Sequence, residues 1–302
     1  MWVSGRKVLV TGANGFIGGA LVKRLEAEGA QVTAWTREMG DLRDREQCDR
    51  AVWCQDAVFH FAAVTAGAGV VVANPMALVT DNLVMTANML AAASSAKVHK
   101  FIFPSSTTGY PDIDKPMREE DYFTGTPFKG YYPIGMTKRY LETLAAMYPM
   151  TTVALRATNV YGPGDCFDPV RSHVIPATIR KVAERQNPIV VWGDGLDARD
   201  AIYIDDMTRA CVLSADLIPG HHAFNLGLGK SYTIREILSV LLSYEGYRPK
   251  IEYDISKPQL LRKREVTTDY TEMCLGWTYH ITMEEGLKRT LAWYKENALA
   301  RV

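Results

Sequence analysis

The sequence predicts an α/β fold: a doubly wound parallel sheet of Rossmann type with a smaller C-terminal α/β lobe for substrate. Three observations carry the prediction. First, Thr11–Gly18 reads Thr-Gly-Ala-Asn-Gly-Phe-Ile-Gly directly after the apolar run Val8–Leu9–Val10, the pattern of strand, tight turn and helix. Second, short apolar runs alternate with amphipathic segments, as a sheet covered by helices on both faces requires. Third, Pro and Gly become more frequent past Tyr161 and the connections lengthen, which marks a smaller unit closing over the strand ends.

The glycines of the first turn have separate tasks. Gly12 permits the turn, Gly15 lets backbone approach a pyrophosphate, and Gly18 lets the helix pack close to the strand. The helix N-terminus then offers unpaired N–H groups and a positive dipole end to phosphates, so Asn14, Phe16 and Ile17 join the three glycines as expected cofactor contacts. Strands are expected near Lys7–Val10, Gln31–Trp35, Ala57–Ala62, Phe101–Pro104, Thr152–Arg156 and Ile189–Trp192. Helical periodicity falls near Phe16–Glu28, Leu78–Ala96, Pro133–Met147, Ser172–Glu184 and Asp205–Asp216, with terminal helices near Ile234–Tyr244 and Met283–Glu296. Residues 1–160 are the expected dinucleotide-binding domain. Residues 161–302 are mainly the substrate lobe, with some segments returning to the sheet.

The 302 residues carry 34 Lys plus Arg against 34 Asp plus Glu, so no net charge draws the chain to nucleic acid or an anionic membrane. Neither partner is expected. The 5 cysteines are odd in number, scattered and without metal-ligand spacing, which fits a reducing compartment and a cytoplasmic location. The apolar run at Val70–Val72 is cut by Asn74 and Pro75, too short to span a bilayer. The first strand begins almost at Met1, which leaves no room for a signal peptide. His221–His222 have no partners at metal spacing, so no metal site is expected, and His60 on its apolar strand reads as a satisfied core histidine.

The second strand ends Trp35–Thr36–Arg37–Glu38. An acidic residue at that tip would hold a ribose 2′-hydroxyl, whereas an arginine suits a 2′-phosphate. Arg37 therefore favours NADP, with NAD still possible, against the plain alternative of a solvated charge beside Glu38. Asp41–Leu42 follow and are placed to face the adenine. Further on, Phe101–Pro104 runs into Ser105–Ser106–Thr107–Thr108, and Lys138 lies early in a helix that Pro133 opens.

A serine at a strand end with a helical lysine resembles the extended short-chain dehydrogenase/reductases, the nucleotide-sugar epimerases, dehydratases and reductases. The resemblance spans nearly the whole chain: Thr11–Gly18, His60–Phe61–Ala62–Ala63, Asn82, Ser106, Lys138, Arg156, Asn159–Pro163 and Tyr203–Asp206. Gly162–Asp168, Ser172–Pro176, Trp192–Gly193, Arg199 and the tail from Lys257–Pro258 to Leu275–Trp277 are similar to the GDP-fucose synthase branch. The resemblance implies that Ala62 and Ala63 contact cofactor, and that Lys138 holds the nicotinamide ribose and lowers neighbouring pKa values. Ser106 would hydrogen-bond a C4 oxygen, and His173 would be an epimerisation acid or base. Asn159, Arg180, Trp192 and Arg199 would lie near a nucleotide-sugar substrate. It also implies a homodimer through the Leu78–Ala96 helix and the Lys138 helix, although ordinary core packing explains the same pattern.

Two departures stand out. Where the family has a tyrosine one turn before the lysine, this chain has Ile134, which has no proton to give. Where the branch has its epimerising cysteine, this chain has Thr108, a poor base without help. Tyr131 lies seven residues from Lys138, roughly 10 Å along a helical axis, too far to substitute directly unless the loop folds back. Tyr132 stands as the candidate donor, against the alternative that both tyrosines pack at the pocket rim. Cys166 could bring a thiol near the sugar, although a small buried cysteine is the commoner use. The expected activity is NADP-dependent reduction, with or without epimerisation, of a nucleotide-linked 4-keto-6-deoxyhexose, most simply GDP-linked. Epimerisation alone and a cofactor-binding sensor are the alternatives.

Overall fold

In the computed structural model the described residues are 1–65, 74, 76, 78–257 and 261–297, so Val70–Val72, Pro75 and Pro258 lie outside them. Strand β1 (Lys7–Thr11) sends Val8 and Val10 to one face and Leu9 to the other, the period-2 alternation of a strand buried on both sides. Helix α1 (Phe16–Ala27) leads to β2 (Gln31–Trp35). Helix α2 (Arg45–Ala51), capped by the Asp44 carboxylate accepting from Glu46 N–H at 2.9 Å, leads to β3 (Ala57–His60). Helix α3 (Thr80–Ser95), β4 (Lys100–Ser106), α4 (Tyr132–Ala146), β5 (Thr151–Ala157) and β6 (Asn159–Tyr161) follow.

The remaining elements are α5 (Val174–Ala183), β7 (Ile189–Trp192), β8 (Ala198–Arg199), β9 (Ala201–Tyr203), α6 (Ile204–Ser214) and β10 (His221–Leu226). They continue with β11 (Tyr232–Thr233), α7 (Ile234–Glu245), β12 (Ile251–Asp254), β13 (Lys263–Arg264), α8 (Asp269–Leu275) and α9 (Met283–Asn297). Helix α7 is closed at both ends: a Thr233/Glu236 capping box starts it and Gly246, at φ 64°, ends it.

Six strands form one sheet in the order β10-β5-β4-β3-β1-β2, every pairing parallel. The chain leaves β1 toward β2 and then returns to β3 on β1's other side. That reversal opens a crevice at the carboxyl ends of β1 and β3, where ligands of such sheets bind. One apolar layer joins Val8, Val10, Leu21 and Leu25 to Met207 and Ala210 of α6. The opposite layer joins Leu9 and Phe101 to Met89 of α3 and Leu141 of α4. A third apolar cluster gathers Ile179, Ile189, Leu238 and Leu287 from α5, β7, α7 and α9.

Two expectations are corrected. Ile189–Trp192 is a strand, but it pairs with β12 in a separate two-stranded sheet rather than joining the main one. The sheet's sixth strand is instead β10, which begins with two histidines and has no β-branched residue, so periodicity and propensity gave it no signal. No helix among the described residues is long and apolar enough to cross a membrane.

Candidate active site

The turn after β1 is built as its glycines require. Gly12 adopts φ +67°, and a Cβ there would stand 2.8 Å from the Phe61 carbonyl and the Ala62 nitrogen. A Cβ on Gly18 would run into the Gly12 carbonyl, so only glycine lets α1 lie this close to the strand. Gly15 is the N-cap of α1 with no side chain to cap it, and Gly15 to Gly18 line an adjoining cleft. This cradle fits a dinucleotide pyrophosphate.

Beside it lies a cavity of about 230 Å³ lined by Gly12, Asn14, Gly15, Arg37, Asp41, Leu42, Ala62 and Ala63, eight of the expected cofactor contacts. Phe16, Ile17 and Gly18 line the larger cleft that adjoins it. Arg43 grips Asp41 at 2.6 Å and reaches Asp81 at 3.3 Å, and its bonds pull the Asp41 carboxyl down to about 2. Arg37 makes only a long 3.8 Å contact with Asp41 and its side chain is 81% exposed, so its guanidinium remains open to an anion. His60 is a satisfied core group: Thr11 Oγ1 lies 2.8 Å from Nδ1 and Thr86 Oγ1 3.3 Å from Nε2, and burial pushes its pKa down to about 3.

The larger cleft, about 640 Å³, brings Ser106, Thr108, Asn159, His173 and Arg199 together. Strand β4 delivers Ser106 at its carboxyl end, where Ser106 Oγ accepts the Thr108 N–H at 3.1 Å and keeps its own proton for a ligand. The turn below is locked against α4: a Cβ on Gly135 would stand 2.5 Å from the Thr108 carbonyl oxygen. Lys138 Nζ donates to the Pro104 carbonyl at 2.9 Å, and burial lowers the ammonium's pKa to about 8, with Glu142 opposing. His173 is the N-cap of α5. It opens into the cleft yet is surrounded by enough protein that desolvation lowers its pKa.

A buried network braces this end of β4. Arg156 Nη2 donates to Glu142 Oε2 at 2.7 Å, its guanidinium lies 3.7 Å over the Tyr122 ring, and Ser105 Oγ donates to Glu142. Both charged side chains are almost fully enclosed, so the pair is screened little by solvent.

Four expected contacts line neither the cavity nor the larger cleft, the first being Lys138, whose ammonium is turned onto the Pro104 carbonyl. Tyr132 is 46% exposed and does not line the cleft. Arg180 faces Glu184 along α5 at 3.4 Å. Trp192 is 50% exposed, with the Lys257 ammonium 5.7 Å over its ring. In their place the cleft holds Tyr131, which distance along the helix argued against, and Cys166, whose commoner use is burial in a core. It also holds Arg171, Arg264 and Asp165, which no sequence reasoning singled out.

Thr108 Oγ1, Thr158 Oγ1, Asp165 Oδ2 and Arg264 Nε and Nη2 are buried there without partners among the described residues. Burial pushes the Asp165 carboxyl up to about 7, and the Arg264 guanidinium down to about 10, which still leaves it cationic at neutral pH. Three arginines against one carboxyl make this a cleft for an anion, and its orphaned donors and acceptors suit a polar one. Among the described residues no group of three or more His, Cys, Asp or Glu is placed to hold a metal.

The sheet, the glycine cradle at its switch point and the serine-lined cleft beside it define a dinucleotide-binding enzyme. Residues 8–227 match the NAD dependent epimerase/dehydratase family, and the chain belongs to that family. It is 30% identical to the GDP-L-fucose synthase of Escherichia coli (strain K12), over 98% of each chain. Among solved structures it resembles a UDP-glucose 4-epimerase from Thermotoga maritima bound to UDP-glucose, with TM-score 0.86 and 26% identity over 96% of this chain and 99% of that one. It also resembles MoeE5 in complex with UDP-glucuronic acid and NAD, with TM-score 0.85 and 28% identity over 96% and 99%.

Proposed function

We propose that this chain is an NADP-dependent enzyme that reduces a nucleotide-linked 4-keto-6-deoxyhexose, GDP-linked, at C4. The observation that carries the reading is the larger cleft, where Ser106, Thr108 and His173 meet three arginines next to the dinucleotide cradle. The coarser statement, a nucleotide-sugar epimerase or reductase, is supported by the relatives' activities. GDP is favoured by the likeness to GDP-L-fucose synthases and, at 27% identity, to a GDP-mannose 3,5-epimerase of rice. Arg37, open at the tip of β2, supports NADP over NAD.

When bound, the dinucleotide supplies hydride. The chain's own groups bind, orient and move protons. Ser106 Oγ–H donates to the ketone oxygen, its oxygen held in place by the Thr108 N–H it accepts. Lys138, fixed on the Pro104 carbonyl, holds the ribose beside the reduced carbon and contributes positive charge. Arg171 and Arg199 neutralise the diphosphate. His173, kept neutral by its partly desolvated position, takes a proton from a carbon next to the ketone, and water returns a proton to that carbon on the opposite face, which adds epimerisation to reduction. A homodimer fits the exposed apolar side chains Met136 and Tyr140 on α4 and Val84 on α3.

The test is incubation with GDP-4-keto-6-deoxymannose and NADPH in deuterated water, following absorbance and product mass. NADPH consumption with formation of the alcohol supports the reading, and ring deuterium that vanishes in His173→Gln adds the epimerisation. Deuterium uptake without NADPH loss would replace reduction by epimerisation. No reaction with this or related 4-keto sugars, despite NADPH binding, would leave the sensor alternative standing.

A further inference from the structure

Helix α4 has lost the phenol that its lysine would ordinarily serve, and Ile134 does not line the cleft. Side chains three, four and seven residues apart share one helix face. Residues 131, 134 and 138 have that spacing, so Tyr131 extends the Ile134–Lys138 stripe one turn toward the N-terminus. Tyr132 is six residues from Lys138, about 240° round the helix, and its ring is exposed. The rotation selects Tyr131; the distance along the axis is met by its position in the 3-10 turn Lys129–Tyr131, just ahead of α4, from which it lines the cleft with Ser106 and Thr108.

The ring is held from the other lobe. Arg264, on β13, lies with its guanidinium 5.0 Å over the Tyr131 ring centroid. Its side chain is buried, and Nε and Nη2 have no partner among the described residues. A fixed guanidinium on the ring face stabilises the negative charge that a phenol acquires on losing its proton. The N-terminal domain thus supplies the hydroxyl and the C-terminal lobe supplies its orientation.

We propose that Tyr131 is the proton donor to the substrate ketone oxygen and that Arg264 positions it. The inference rests on the reductase reading above. In the step, hydride from the reduced nicotinamide forms the new C–H bond as the dinucleotide is oxidised. The carbonyl π pair moves to oxygen, the Tyr131 O–H bond breaks to protonate that oxygen, and water then returns a proton to the phenolate.

The experiment is single-turnover NADPH oxidation with GDP-4-keto-6-deoxymannose, beside NADPH binding by fluorescence and GDP binding by calorimetry. Tyr131→Phe keeps the ring and is expected to slow the step by about 10²–10⁴-fold, with both affinities within about twofold. Tyr132→Phe is expected to keep its rate. Arg264→Lys slows the step, and adding it to Tyr131→Phe slows it no further, because a positioning residue has nothing left to position. A purely structural role would instead make the two losses add. If the unsubstituted protein does not oxidise NADPH, the reductase reading falls and this inference with it. If it does, and Tyr131→Phe stays within tenfold of it or loses either ligand, or Tyr132→Phe takes the loss, the Tyr131 assignment alone is overturned.

Discussion

Replacing Glu142 by leucine strands the Arg156 guanidinium inside the protein. Arg156 and Glu142 side chains are 4% and 0% exposed, and three N–H···O contacts of 2.7, 3.1 and 3.2 Å join them. Removing one partner of a buried pair costs about 3–5 kcal/mol, because the remaining charge keeps its desolvation penalty and loses its compensation. Arg156 retains the Glu119 carbonyl at 2.9 Å and the Tyr122 face at 3.7 Å, which places the expected loss near the lower end, about 3–4 kcal/mol. Unfolding entropy of about 2.1 cal/mol/K per residue over 302 residues gives about 0.63 kcal/mol/K, so the midpoint should fall by roughly 5–6 °C. Urea and thermal unfolding followed by circular dichroism measure this. The double variant Glu142→Leu/Arg156→Met removes both charges and should return to within about 1 kcal/mol of the parent. A loss below about 1 kcal/mol in Glu142→Leu, or a double variant as unstable as the two singles summed, would refute the reasoning.

Three further outcomes are expected. Gly18→Ala pushes a methyl into the Gly12 carbonyl, so the cradle must open; NADPH affinity by fluorescence should drop at least tenfold, and unchanged affinity would contradict the packing argument. Arg37→Ala should weaken NADPH by about tenfold or more, the worth of one charge-assisted contact, and leave NADH nearly unchanged; equal loss of both would remove the 2′-phosphate role. Asp165, pushed up to about 7 against about 3.9 when unfolded, favours folding while protonated. Its contribution is full below pH ~4 and is lost as pH rises through about 7. Asp165→Asn should therefore flatten the fall in urea midpoint between those pH values, and an unaltered slope would refute the assignment.

Much of the fold was legible because local rules and global packing agree over many of its elements. Strand β2 and the starts of α1, α7 and α9 fall where periodicity placed them. Strand β10 was hidden because its stability comes from its place beside β5, where Phe224 and Leu226 meet the core, and not from its own propensity. The site was legible in the same uneven way. The glycine turn, Ser106 and His173 are fixed by chain-local geometry and lie where their motifs suggested. Arg180 and Trp192 sit in matching motifs, yet the orientation of α5 and of the small sheet turns them elsewhere.

What the sequence determined by itself was the class: the glycine spacing admits one turn, and alternating apolar runs admit one kind of sheet. It also determined the anomaly, since no fold gives Ile134 a proton. What only the tertiary structure decided was which groups converge on the cleft. Arg264 reaches Tyr131 from 133 residues along the chain, and Asp165 lies in the same cleft as Ser106. Contacts of that kind depend on how segments distant in sequence pack on each other, and no periodicity of 2 or 3.6 residues encodes that. The same packing leaves Asp165 Oδ2 and Arg264 Nε and Nη2 buried with no partner among the described residues, groups that a polar ligand can satisfy.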